Sequence, residues 1–242
     1  MTWAIFALVL FGLFLTYIIF QETRAHSYWR GLVSKGDVRA IRALLDQEIE
    51  RWRTARVPKG APPTLWHAVQ TVDLVAVGPA AAHLSCSAEG EYRIIAGQSQ
   101  EVTSPIDAAM RLAAKVCELI LYDIPNIRLH EVRVDVYSTF RDASGAPLQR
   151  CILSTIADRG EADDLDWEAL RPHEIIGRFE SRSNVNAQGV AEPIDAGPPL
   201  EGTTPVAEIG PPADPDQLPA RPNEAEEVAP LPGPAAVERP TL

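Results

Sequence analysis

A chain of 242 residues with 46% apolar content and a formal charge of −11 can hold one folded domain with appendages. Lysine occurs only at 35, 59 and 115, and this scarcity, together with the acidic balance, argues against nonspecific nucleic-acid binding. The charge is segregated: residues 21–60 carry nine Lys/Arg against five acids, whereas residues 187–242 carry ten acids against two Arg, so the low pI says nothing about a substrate.

Trp3 to Phe20 runs for eighteen residues without a charge. As a helix it would be about 27 Å long, one hydrocarbon core. Its twelve Ile, Leu, Val and Phe residues favour insertion by roughly 4 to 7 kcal/mol. Only Met1 and Thr2 precede the run and QETRAH follows it, which supplies neither the basic start nor the small-residue cleavage site of a signal peptide. The expectation is a retained anchor over 1–24, with residues 3–20 in lipid. Arg24, Arg30, Lys35, Arg39 and Arg42 all follow the span, which predicts a single-pass inner-membrane protein with its N-terminus outside and its domain in the cytoplasm. Cys86, Cys117 and Cys151 are odd in number and widely spaced, so reduced, buried thiols are expected. The Ala- and Arg-rich, Lys-poor composition is associated with GC-rich bacterial genomes.

Residues 25–59 form a basic juxtamembrane segment. Within it Asp37 is placed to cap a helix whose Val38, Ile41, Leu45, Ile49 and Trp52 share one face up to Arg56. That face is expected to pack on the following domain or on a second copy, rather than to lie on lipid headgroups, because Asp46, Glu48 and Glu50 dilute the basic surface.

Residues 60–186 are expected to fold as an α+β domain: a small antiparallel sheet with helices packed on one face. Strand character spans His67 to Val77, Ala82 to Ser87 and Glu91 to Ile95, read as a meander with turns at Gly78-Pro79 and Glu89-Gly90. Ser104-Pro-Ile-Asp107 combines a serine cap, proline at the first helical position and an acid three after the cap. It predicts a helix with Ile106, Met110, Ala113, Cys117, Ile120 and Leu121 buried, ending before Pro125. Val132, Val134, Val136 and Phe140 alternate with Arg133, Asp135, Tyr137 and Arg141, and Cys151 to Ala157 forms the return strand of a long hairpin. Asp163 or Asp164 is placed to cap a short helix through Leu170, Pro172 to open another through Phe179, and Asn186 to Gly189 to make a turn. Residues 187–242, with thirteen of the twenty-one prolines, are expected to be a disordered acidic tail.

No Walker A sequence, dinucleotide fingerprint or nucleophile elbow is present. The histidines at 26, 67, 83, 130 and 173 do not pair at helical spacing, and Asp158, Glu161, Asp163, Asp164 and Asp166 lack the frame of a calcium loop, so neither metal nor cofactor is expected. The polar face of Arg133, Asp135, Tyr137 and Arg141, with Arg150 opposite, is the candidate interaction surface. The expected function is a membrane-anchored, non-catalytic interaction or scaffold module for a protein partner or a second copy. The alternative is a tethered hydrolase or nuclease assembled by the fold from His67, His83, His130, Cys86 and the acidic loop.

Overall fold

The computed structural model describes residues 35–95, 97–125 and 127–210, with Phe11, Phe14 and Val33 besides. The remainder of the proposed anchor, and residues 211–242, lie outside the described residues. Among the described residues no helix is long and apolar enough to cross a membrane.

Helix α1, Val38–Thr54, starts where expected: the Asp37 carboxylate accepts from the amides of Arg39 (2.9 Å) and Ala40 (3.3 Å), satisfying two of the free donors of the first turn. Its face of Ile41, Leu45, Ile49 and Trp52 is buried in the main core. Helix α2, Pro63–Val69, occupies residues whose sequence reads as a strand beginning at His67. Pro63 at the first helical position fixes φ for a helix, and Trp66 and Val69, three apart, are both buried, so the helical period wins over the β-propensity of this run.

Strand β1, Asp73–Val77, turns back into β2, Ala81–Ser87, and the chain then leaves the sheet for a ribbon of β3, Glu91–Ile95, and β4, Gln98–Thr103. Helix α3, Pro105–Glu118, follows behind the Ser104 cap (Asp107 N to Ser104 Oγ 3.2 Å) and continues through a π-helical turn, Leu119–Asp123. It is the crossover that returns the chain to lay β5, Glu131–Arg141, parallel to β2. The sheet is therefore mostly antiparallel but not a simple meander. The long hairpin closes with β6, Pro147–Asp158, in full antiparallel register and with one bulge at Val136/Tyr137.

After β6 come α4, Arg159–Ala162, capped by Asp158, and α5, Pro172–Ile176; residues 163–170 between them, expected as a short helix behind Asp163 or Asp164, form turns instead, and Asp166 caps one of them. Strands β7, Glu180–Val185, β8, Ala191–Glu192, and β9, Thr204–Pro205, complete a seven-stranded sheet of order β8-β7-β6-β5-β2-β1-β9. Apolar residues of α1, α2, α3 and α5 join Leu84, Cys86, Val132, Val134, Val136 and Leu153 in one core, so the architecture is α+β.

Residues 187–210, expected in the disordered tail, are instead placed. Segment 194–203 is a strap that runs without strand or helix between β8 and β9, with the Ile194 amide donating to the Cys151 carbonyl (2.9 Å) and Leu200 buried. Prolines do not oppose this, because an extended strap leaves their missing N–H groups unneeded while their carbonyls still accept. The strap reaches β1 at Gly78, where an added Cβ would fall on the Gly202 carbonyl oxygen. Gly78→Ala should therefore lower stability by about 1–3 kcal/mol. Amide exchange at Thr203 and Thr204 should accelerate before exchange in β5 and β6; uniform loss of protection would show that the strap does not detach separately.

Candidate functional site

Alternation along β5 sends Arg133, Asp135 and Tyr137 to the face opposite the valines, as the sequence period requires. The expectation that this face is exposed does not hold at its centre: Arg133 and Asp135 are each 2% exposed. The strap covers them, with Arg133 Nη1 donating to the Pro198 carbonyl and Nη2 to the Ala196 carbonyl. Arg133 also grips Asp135 with both Nε (to Oδ1, 2.9 Å) and Nη2 (to Oδ2, 3.1 Å). His83, adjacent in the parallel register, places Nε2 2.8 Å from Asp135 Oδ2, and its Nδ1 is buried without a hydrogen-bond partner among the described residues.

Burial pushes the Asp135 carboxyl up, but hydrogen bonds from His83, Arg133 and Ser154 outweigh it and hold the group below its ordinary value. Tyr137 is half-buried, and Arg141 and Arg150 are exposed toward the hairpin end, where Arg141 Nη1 donates to the Gly145 carbonyl (2.9 Å). The five residues thus divide into a buried ionic pair, a partly covered tyrosine and two solvent-facing arginines. The chemistry of the buried part is structural: a carboxylate joins strands β2, β5 and β6 and, through Arg133, the strap.

The second set of candidate residues is dispersed. His67 is exposed on α2, with Nδ1 3.1 Å from Gln70 Oε1. His130 lines a different cleft of about 790 Å³, with Arg128 and Arg159. His83 is buried against Asp135, and Cys86 lies in the core. Burial raises the Cys86 thiol well above its ordinary value, carries Cys117 to about 12 and, with the Asp135 charge beside it, Cys151 to about 11. None of these thiols sits in the electropositive, accessible setting that makes a nucleophile. In the acidic loop, Asp158 and Asp166 cap backbone amides, and Asp163 accepts from the Tyr122 hydroxyl at 2.8 Å. Among the described residues no three His, Cys, Asp or Glu side chains converge as a metal site would require.

The feature that stands apart is the β3–β4 ribbon. It pairs with no strand of the seven-stranded sheet, and it holds four large apolar side chains in solvent: Tyr92 (62% exposed), Ile94 (81%), Ile95 and Val102. Its root is fixed by two carboxylates. Glu89 accepts from the Ser138 hydroxyl (3.1 Å) and the Thr139 amide (2.9 Å) of β5, and Glu91 accepts from the Thr64 hydroxyl (2.6 Å) near the start of α2. Beside the root is a groove of about 390 Å³ lined by Leu65, Ala68, Ala88 and Ala108 together with residues 89–91. A fixed root, exposed apolar flanks and an adjoining apolar groove are what a docking surface needs.

No family model, curated protein or solved structure matches the chain.

Strand β4 is not legible in the sequence, because Gln98-Ser-Gln-Glu-Val-Thr103 is polar and carries little β-propensity. A signal was nevertheless present: Gly97, close behind the apolar end of β3, is the residue type that supplies the positive φ (81°) of a tight hairpin tip.

Proposed function

We propose that the chain is a non-catalytic protein-interaction module, held at a membrane through residues 3–20 with its domain on the cytoplasmic side, and that the β3–β4 ribbon is its docking surface. The observation that carries this reading is the exposure of Tyr92, Ile94, Ile95 and Val102 on one two-stranded ribbon that pairs with no strand of the main sheet. Scattered exposed apolar residues are ordinary on a protein surface, but this two-stranded element outside the sheet exposes apolar side chains on both of its faces, with Tyr92 and Ile94 side by side on one of them, and that area is unfavourably hydrated until something covers it. The apolar run at 3–20 and the basic residues behind it support the tether and its orientation.

Proximity labelling of the full-length chain in its membrane tests the reading. Ile94→Asp places a charge at the most exposed apolar position of the ribbon, where it is solvated in the free protein and buried only in a complex. Labelling of the specific neighbours should fall about ten-fold or more, with the thermal midpoint of the domain unchanged. Undiminished labelling would overturn the ribbon as the docking surface.

A further inference from the structure

Resting on the reading of the ribbon as a docking surface, we infer that its occupant is a second copy of this chain, the two β3 strands pairing antiparallel about a two-fold axis at Tyr92. Strand β3 uses one edge for β4, and its other edge is unpaired among the described residues, leaving a row of backbone donors and acceptors ready to extend a sheet. No proline or lysine in Glu91-Tyr-Arg-Ile-Ile95 blocks that edge.

The two charges on β3 choose the register. A two-fold axis at Arg93 sets two arginines directly opposite each other, which is unfavourable. An axis at Ile94 leaves Arg93 facing Ile95 of the second copy and Glu91 facing Gly97. An axis at Tyr92 sets Glu91 against Arg93 twice, by symmetry, and Tyr92 against Tyr92. Glu91 is already oriented for this, because Thr64 holds its Oε1 and leaves Oε2 available. The same register carries Ile95 of the second copy to Glu89, on the face that Glu91 shares with the apolar groove beside the ribbon root, and sets Ile94 opposite Gly90 on the other face. Strand pairing, charge pairing and groove filling therefore agree on one alignment.

Disulfide trapping in the full-length chain tests the alignment residue by residue. Directly opposed strand positions have Cα atoms about 4.5–5.5 Å apart, within disulfide range. Tyr92→Cys should form a covalent dimer under mild oxidation. Ile94→Cys should not, because its two copies would lie about 13 Å apart along the strands. The three native cysteines are buried and leave the readout clean. Arg93→Glu should lower the yield of the Tyr92→Cys dimer about five- to ten-fold, and adding Glu91→Arg should restore it. A link through Ile94→Cys but not Tyr92→Cys overturns the register, and failure of the charge exchange to restore the dimer overturns the pairing that selects it. If neither cysteine links while Ile94→Asp still abolishes proximity labelling, the partner is a different protein: the second copy is ruled out and the docking reading stands. If Ile94→Asp changes nothing and neither cysteine links, both fall.

Discussion

Arg133→Ala should destabilise the folded chain by about 3–5 kcal/mol, the loss expected when one member of a buried ion pair is removed and its partner is left uncompensated. The size follows from the surroundings. Asp135 is almost completely buried, so without the guanidinium its charge retains the desolvation cost and only the His83 and Ser154 hydrogen bonds remain against it. The same substitution frees the Ala196 and Pro198 carbonyls, so the strap should open together with the loss of stability. A pH series sharpens the test. Because the Asp135 carboxyl titrates below its ordinary value in the folded chain, its ionised form contributes stability that is fully present above about pH 4 and is lost as pH falls through the lower folded value. In Arg133→Ala burial dominates, the folded carboxyl moves upward, and acid unfolding should begin at higher pH than in the parent chain. Asp135→Asn should remove this part of the pH dependence altogether. Denaturant unfolding at pH 7, at about pH 4 and at about pH 2.5 measures both effects, and a loss at pH 7 below about 1 kcal/mol would mean that water reaches the pair.

Much of the core was legible because its signals are local. Ser104-Pro105 starts α3 by side-chain chemistry that needs no tertiary partner, and the alternation Val132, Val134, Val136 fixes which way β5 faces whatever packs against it. Two features were not legible, for different reasons. The burial of Arg133 and Asp135 depends on the strap, whose contacts with Arg133 lie 63 and 65 residues later in the sequence, and strand period reports which face a side chain occupies but not whether that face is covered. The strap itself is hidden by composition: Pro193, Pro198 and Pro199 read as a solvated tail, yet Ile194 and Leu200 between them supply enough apolar anchoring for an extended segment lying on a sheet. The ribbon escaped notice because its polar strand, β4, acquires its conformation from pairing with β3 rather than from its own residues. In each case the missing information was a long-range partner, and the candidate docking surface depends on such a partner as much as the buried network does.

Trp52→Ala should cost about 3–5 kcal/mol, and where the loss falls decides how the domain is joined to its proposed tether. The indole is 4% exposed at the end of the stripe Ile41, Leu45, Ile49, Trp52, so its removal opens a cavity in the core beneath α1. A seventeen-residue helix is marginal by itself, and α1 owes its stability to this packing and to its ties. At its C-terminus the Gln70 amide donates to the carbonyls of Trp52 (3.3 Å), Arg53 (3.3 Å) and Ala55 (3.0 Å), and nearer its N-terminus Arg42 donates to the Val206 carbonyl at 3.2 Å. These bonds use groups that the substitution leaves in place, but they hold only while α1 stays seated against α2. Amides of 41–54 should therefore lose exchange protection first, with β5 and β6 following only at the global transition. A firmly seated α1 makes residues 38–54 part of the folded domain's cooperative unit, whereas a loosely seated one opens separately from it. A stability loss below about 1 kcal/mol would place α1 outside the cooperative unit and make 25–59 a separate basic segment, free to meet anionic headgroups instead of the domain.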